Sequence, residues 1–389
     1  MNRRFGDLEV EAVKRVIQNG KYLSGYTTKF RGGDEVQKFE EKFAKFIGTK
    51  FALTVNSGTT ALLIAYQTAI EYGKITGNKK LINPVFHMPA YTFTSDASAA
   101  LMAGGKIIFE DIDPKNFCIT SPKKHIPIFV PTYLLGNAPD NLDFKKADFV
   151  IEDCCQSLGT KVKGKVVGSR GSMSIFSFQE TKHITTLGEG GMICSNDEKL
   201  IDIAASIRNH AEFYKQNNFL GGNYRMTEAQ AAFGTAQLSK INSILKEFSK
   251  NAKKIIKKLP DGIDPPVISP NVEHSFLMIG CIFNEKVIGT SRDEFLKKLT
   301  KNREHILKDD EKSDIKGINM KSGKLIFPGY SNPLYNIPMF KKFKPKINCK
   351  NTEDVIKKSI WMDIHKFRTN AEISEEIDIL HETVNEFQK

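Results

Sequence analysis

Between residues 50 and 195 the chain carries seven short runs rich in isoleucine, valine and phenylalanine: KFALTV, LINPVFHM, GKIIFEDI, HIPIFVPTYLL, DFVIED, MSIFSF and GMICS. Turn residues bound each of them. Runs of this length that stay apolar, instead of alternating with polar residues, suit strands buried on both faces, as in a parallel sheet covered by helices. Helical patterns surround them. DLEVEAVKRVIQNG is amphipathic and stops at a glycine, and GDEVQKFEEKFAKFIG sets Val36, Phe39, Phe43 and Phe46 on one face. The first strand runs directly into NSGTTALLIAYQTAIEYG, a helix with Asn56 or Ser57 as its cap. The expected fold class is α/β, with a mostly parallel, seven-stranded type of sheet flanked by helices.

Further helices are expected at NDEKLIDIAASIRNHAEF and, as one long element leading out of the sheet, at MTEAQAAFGTAQLSKINSILKEFSKNAKKIIKKL. A proline-rich stretch, LPDGIDPPVISP, separates them from a remainder of mixed α and β character that ends in the helix SEEIDILHETVNEF. A chain of 389 residues is comfortable as two domains. The expected division is a large domain over residues 1–250, N-terminal helices included, and a smaller C-terminal α+β domain over 251–389.

Charge narrows the partners. The net charge of +12 could serve nucleic acid, but the lysines are spread out and no aromatic-interleaved basic motif is present. A general positive field also favours an anionic small molecule. No apolar run approaches the roughly 18–20 residues needed to span a bilayer. The opening MNRRFGDLEVEAVKRV is interrupted by acids too early for a secretory signal. The six cysteines (118, 154, 155, 194, 281 and 349) lack metal-ligand spacing and fit free thiols in a reducing compartment. The expectation is a cytoplasmic protein without metal, membrane or nucleic-acid partners.

Three stretches carry chemistry. In VNSGTTALL a strand delivers Ser57, Gly58 and Thr59 to the start of a helix, where free amides and the positive helix end make an anion cradle. A plain capped helix explains the same residues. In DFVIEDCCQSLG, Asp153 ends an apolar strand, at the edge where open α/β sheets bind ligands, and Gln156 could reach the same crevice. A capping box built from Asp153 and Gln156 is the structural alternative. In MSIFSFQETKHITTLGEGG, Ser177 precedes Lys182 by five residues, and a glycine cluster follows. Taken alone, Lys182 reads as a solvated loop lysine. One demand unites the three stretches. Pyridoxal phosphate needs an anion cradle, a lysine for a Schiff base, and a carboxylate that keeps its pyridine nitrogen protonated.

NSGTTALLIA, MPAYTFTSDASAALMAGGKIIFEDID, IEDCCQSLGT, GKVVGSRGSMSIFSFQETKHITTLGEGGM and NYRMTEAQAAFGTAQLSKI resemble, in order, the motifs of the DegT/DnrJ/StrS family. These are pyridoxal-phosphate-dependent aminotransferases of sugar nucleotides, with the type I fold of aspartate aminotransferase. The likeness covers about residues 6–245 and thins after 250. It implies that Lys182 forms the covalent link to the cofactor and shuttles protons, that Asp153 pairs with the pyridine nitrogen, and that Gln156 lies near the ring hydroxyl. It assigns the phosphate to Ser57, Gly58, Thr59 and Ser177, and the ring face to Phe93, for which core packing is the bland alternative. Asn223 is implied to reach the cofactor phosphate of a neighbouring subunit, which makes the working unit a homodimer with shared sites.

The activity so implied is ping-pong transfer of an amino group from L-glutamate (or glutamine) to a keto-sugar, nucleotide-linked, for amino-sugar and cell-surface polysaccharide synthesis. Alternatives are a sugar dehydratase or cyclitol aminotransferase of the same family, or a non-catalytic regulatory homologue. In the family's dehydratases a histidine replaces the lysine; here Lys182 is present and His183 only follows it. Departures such as Ser172 after glycine, short connections before two strands, and a divergent GYSNPLYNIPMFKKF fall outside the cofactor residues and bear on the substrate.

Overall fold

The computed structural model describes residues 5–19, 21–26, 29–212, 219–303, 326–345, 349–364 and 369–388. Its centre is a seven-stranded sheet. In chain order the strands are β1 (Phe51–Val55), β2 (Val85–Pro89), β3 (Lys106–Glu110), β4 (Ile126–Phe129) and β5 (Ala147–Asp153). A short hairpin of β6 (Lys161–Val162) and β7 (Lys165–Val166) lies apart, and β8 (Met173–Ser177) and β9 (Gly191–Ser195) complete the sheet. The spatial order is β1-β9-β8-β5-β4-β2-β3. The ladder from β3 to β8 is parallel, and β9 runs antiparallel to both β8 and β1. Strand β1 therefore points the same way as β8, and the C-terminal ends of β1, β2, β3, β4, β5 and β8 lie at one edge.

The apolar runs are continuous because both faces are covered. In β5, Phe149 and Ile151 join one core and Val150 the other; in β8, Met173 and Ile175 divide in the same way from Phe176. The first core is filled by Leu62, Leu63 and Tyr66 of helix α3 (Gly58–Thr76), the second by Phe39 and Phe43 of a helix over Asp34–Ile47. Val36, Phe39 and Phe43 are fully buried, as their spacing required, and Phe46 is partly so.

One helix differs from expectation. The stretch 226–259 forms two helices, Glu228–Ser239 and Ile241–Ile256, broken at Lys240. The first is buried from Ala231 to Leu238, whereas the second is amphipathic, burying Ile241, Ile244 and Phe248. Two such burial patterns need two axes.

Beyond residue 250 lies a four-stranded antiparallel sheet of β10 (Ile263–Asp264), β12 (Met278–Phe283), β13 (Ile326–Phe327) and β14 (Ser359–Asp363), in the order β10-β12-β14-β13. Helices Arg292–Asn302 and Asn370–Phe387 pack together beside it. Strand β11 (Val272–Glu273) leaves this group and pairs with β6, tying the later part of the chain to the large sheet's hairpin. Among the described residues no helix is long and apolar enough to cross a membrane.

Candidate active site

The edge where six strands end carries most of the candidate site residues. Ser57 caps α3: its side chain accepts from the Thr60 amide, and Thr60 Oγ1 accepts in return from the Ser57 amide at 3.1 Å. Ser57 is thus the cap, not Asn56. Register puts β9 residue Gly191 opposite both Val55 and Ser177, so the start of α3 lies beside the end of β8. The approach is close enough to require glycine. A Cβ on Gly191 would stand 2.4 Å from the Ser57 carbonyl oxygen, and one on Gly58 would stand 2.8 Å from Ser177 Cβ. Thr59 is exposed at the mouth of this notch and Ser177 half-buried.

Asp153, 4% exposed, ends β5. Its Oδ1 accepts from the Cys155 amide at 2.8 Å, but no helix starts there. Gln156 spans between parts of the fold instead: Oε1 accepts from the Leu135 amide at 3.1 Å and Nε2 donates to the Tyr330 hydroxyl at 3.0 Å. The capping-box alternative is therefore not formed.

Lys182 sits half-buried in a loop that is stitched to itself. The Phe178 amide donates to the Gly190 carbonyl at 2.8 Å, that of Glu180 to Gly188 at 2.9 Å, and Thr186 Oγ1 to the Glu189 carbonyl at 2.6 Å. These bonds close the Gly-Glu-Gly-Gly turn and hold the lysine at the strand edge. Burial depresses its amine below the ordinary lysine range, while Cys155, Asp153 and Glu189 pull it back up. Burial raises the Asp153 carboxyl, against the Cys155 amide, Asp96 and the charge of Lys182.

Next in sequence, His183 is buried outside the notch, with Nε2 3.0 Å from the Ser275 carbonyl oxygen and its ring against Phe248.

Phe93 is 46% exposed, its ring 6.5 Å from that of Tyr330. Asn223 is also exposed, and its Oδ1 accepts from Arg225 Nε at 2.9 Å. The sheet edge thus brings together Ser57, Gly58, Thr59, Ser177, Asp153, Gln156 and Lys182, with Phe93 at its rim; Asn223 faces outward.

Sequence reasoning missed three neighbours. Asp96, wholly buried, lies against Asp153; Cys155 faces Asp153 and Lys182; and Tyr330 joins Gln156 from far along the chain, its ring 4.8 Å from that of Trp361. Asp96 follows Phe93 by three residues in AYTFTSDASAAL, its one local signal. Tyr330 lies in GYSNPLYNIPMFKKF, a stretch that bears on the substrate, but nothing in it ties the tyrosine to Gln156.

The residues fit pyridoxal phosphate. A helix start held open by glycines, a buried carboxylate and a half-buried, desolvated amine are its three requirements. The family model for the DegT/DnrJ/EryC1/StrS aminotransferase family matches residues 6–126 and 143–307. The chain belongs to that family. It is an aminotransferase, and its cofactor is pyridoxal phosphate.

The chain is 31% identical over 269 residues to a GDP-perosamine synthase of Escherichia coli, covering 64% of this chain and 70% of that one. It is 35% identical over 256 residues to a UDP-4-amino-4,6-dideoxy-N-acetyl-beta-L-altrosamine transaminase of Campylobacter jejuni, covering 57% and 63%. The chain therefore spans less than two thirds of the second relative. The solved structure of an aminotransferase from Psychrobacter cryohalolentis superposes with a TM-score of 0.81 at 23% identity, covering 99% of this chain and 98% of that one, which confirms the expected fold.

Proposed function

We propose that this aminotransferase moves an amino group from L-glutamate (or glutamine) to a nucleotide-linked keto-sugar, through a site that two copies of the chain complete. The observation that carries the reading is the meeting of Lys182, Asp153 and the Ser57–Ser177 notch at one sheet edge. Bound there, pyridoxal phosphate supplies an aldehyde for capture of amines and a ring that accepts electrons.

The chain's own groups divide the work. Ser57, Gly58 and Thr59 at the start of α3, with the Ser177 hydroxyl, bind the phosphate, where the helix end is positive. Asp153 would meet the pyridine nitrogen, Gln156 the ring hydroxyl, and Phe93 one ring face. Lys182 Nζ would hold the group covalently, and the same amine is the base that would move a proton at the substrate carbon. Burial lowers its basicity, which favours the neutral amine that attack on a carbonyl requires.

The substrate class is supported by the names of two relatives, which concern a GDP-linked and a UDP-linked amino sugar. The net charge of +12 suits a diphosphate. For the assembly, Leu8, Val10, Ile17 and Leu23 near the N-terminus are each more than half exposed, an apolar surface that a second copy would cover. Asn223 of the partner subunit would then reach the cofactor phosphate.

The test is the visible absorption of the purified protein before and after L-glutamate, with Lys182→Ala alongside. A yellow protein that bleaches with glutamate, and a variant without that band, are expected. GDP- and UDP-linked 4-keto-sugars should then restore the band. A yellow protein indifferent to glutamate and glutamine would overturn the donor, and a deoxygenated sugar product would make the enzyme a dehydratase.

A further inference from the structure

Asp96, the third residue of the helix Thr94–Met102, is fully buried. Thr92 Oγ1 and Thr132 Oγ1 both donate to its Oδ2, the latter at 3.4 Å, while its Oδ1 has no donor. Its carboxyl lies within hydrogen-bonding reach of Asp153. Tyr66 from α3, Tyr330 from the later part of the chain, and Cys155 and Lys182 face the pair. Burial raises both tyrosines and the thiol, so they are neutral, and two ionised carboxylates here would meet with little to screen them. An ionised Asp96 would also leave one buried oxygen without a donor. A single proton on the Asp96 carboxyl removes both penalties, because Oδ1 then no longer stands as an ionised acceptor without a donor and the carboxyl can donate to Asp153, which lies within its reach.

We propose that Asp96 and Asp153 work as one unit, in which Asp96 is the protonated member and donates its hydrogen to Asp153, fixing the charge and direction of the carboxylate that meets the pyridine nitrogen. Asp96 is thus a positioning residue. The second half of this inference rests on the reading of Asp153 given above. The proton belongs on Asp96 because Asp153 has what an anion needs, a backbone amide 2.8 Å from Oδ1 and the amine of Lys182 nearby. Burial first, and Asp153 second, push the Asp96 carboxyl well above the usual carboxylate range.

The experiment is infrared difference spectroscopy of the cofactor-free protein at about pH 8, where ordinary carboxyls are ionised, combined with cofactor titrations. The native chain should show the C=O stretch of one protonated carboxyl, which Asp96→Asn abolishes and Asp153→Asn shifts without removing. Asp96→Ala should weaken cofactor binding about ten- to a hundredfold, the usual loss for a hydrogen bond to a charged group, whereas Asp96→Asn, which keeps a donor, should stay within about threefold. A carboxyl band that survives in Asp96→Asn would overturn the pair. Equal weakening by Ala and Asn would reduce Asp96 to a structural role and overturn it too. Should the band behave as expected while Asp153→Asn binds cofactor normally, the pair stands and the reading of Asp153 falls.

Discussion

At position 191 a single methyl group decides whether the notch exists. A Cβ there would meet the Ser57 carbonyl oxygen at 2.4 Å and the Gly58 amide at 3.0 Å, both backbone atoms that cannot rotate away. Gly191→Ala should therefore part β9 from the start of α3. The expected cost is roughly 1–3 kcal/mol of stability, the usual range for overpacking, together with weaker cofactor retention; thermal unfolding and cofactor titration check both. This site was legible residue by residue where its parts sit in local motifs. Ser57, Asp153, Ser177 and Lys182 each stand at a strand end that their own flanking sequence announces. Asp96 and Tyr330 were not legible, because their nearness to Asp153 and Gln156 is made by strand order and by a return of the chain from beyond residue 325. The Leu334 amide donating to the Ala90 carbonyl at 2.9 Å marks that return.

At the scale of elements, β8 is delivered to the sheet by a loop that hangs on one carboxylate. Glu152, fully buried, accepts from the amides of Gly168 (3.1 Å), Arg170 (2.9 Å) and Gly171 (2.6 Å) and from the Tyr133 hydroxyl (2.8 Å). Glu152→Ala leaves four donors without their acceptor and should cost at least about 3 kcal/mol. Glu152→Gln, which keeps one acceptor oxygen, should cost less. Urea unfolding measures the loss, and amide exchange at Gly168, Arg170 and Gly171 should quicken first. Nothing in the sequence marked Glu152 out from its neighbour Asp153, since both belong to the same apolar strand and differ only in the face they point to. The break at Lys240 was illegible for a different reason. No glycine or proline stands there, and the helical periodicity runs through it. The division comes from two packing environments, with the Lys240 ammonium paired to buried Glu9 at the junction. The seven strands, by contrast, announced themselves, because all but the edge strand β3, which exposes Lys106 and Ile108, are covered on both faces and so are apolar at nearly every position.

For the molecule as a whole, we read the chain as two units divided near residue 250, and the seam between them as sensitive to acid. His274 is buried beside Phe276, ring centroids 4.1 Å apart, with Nδ1 accepting the Phe276 amide. Burial, helped by His183, depresses it from 6.5 to about 3. Between those values the unfolded chain holds a proton that the folded chain refuses. The stability contributed by neutral His274 is thus complete above about pH 6.5 and lost as pH falls, by about 2–3 kcal/mol at pH 4.5. His274→Asn should flatten denaturant-measured stability between pH 7 and 4.5. The adjoining Ser275 also holds His183, directly after Lys182, so acid loosening should reach the active-site loop. Assembly gives the last test. If Asn223 of the partner subunit completes each site, chains carrying Lys182→Ala and chains carrying Asn223→Ala repair one another. In a mixed dimer one site inherits both lesions and the other inherits neither. Unfolding and refolding the two inactive variants together should therefore recover roughly a quarter of native activity, since half the dimers are mixed and each has one intact site. Sites built within single chains would give no mixed dimer an intact site, and the mixture would show only the mean of its parents.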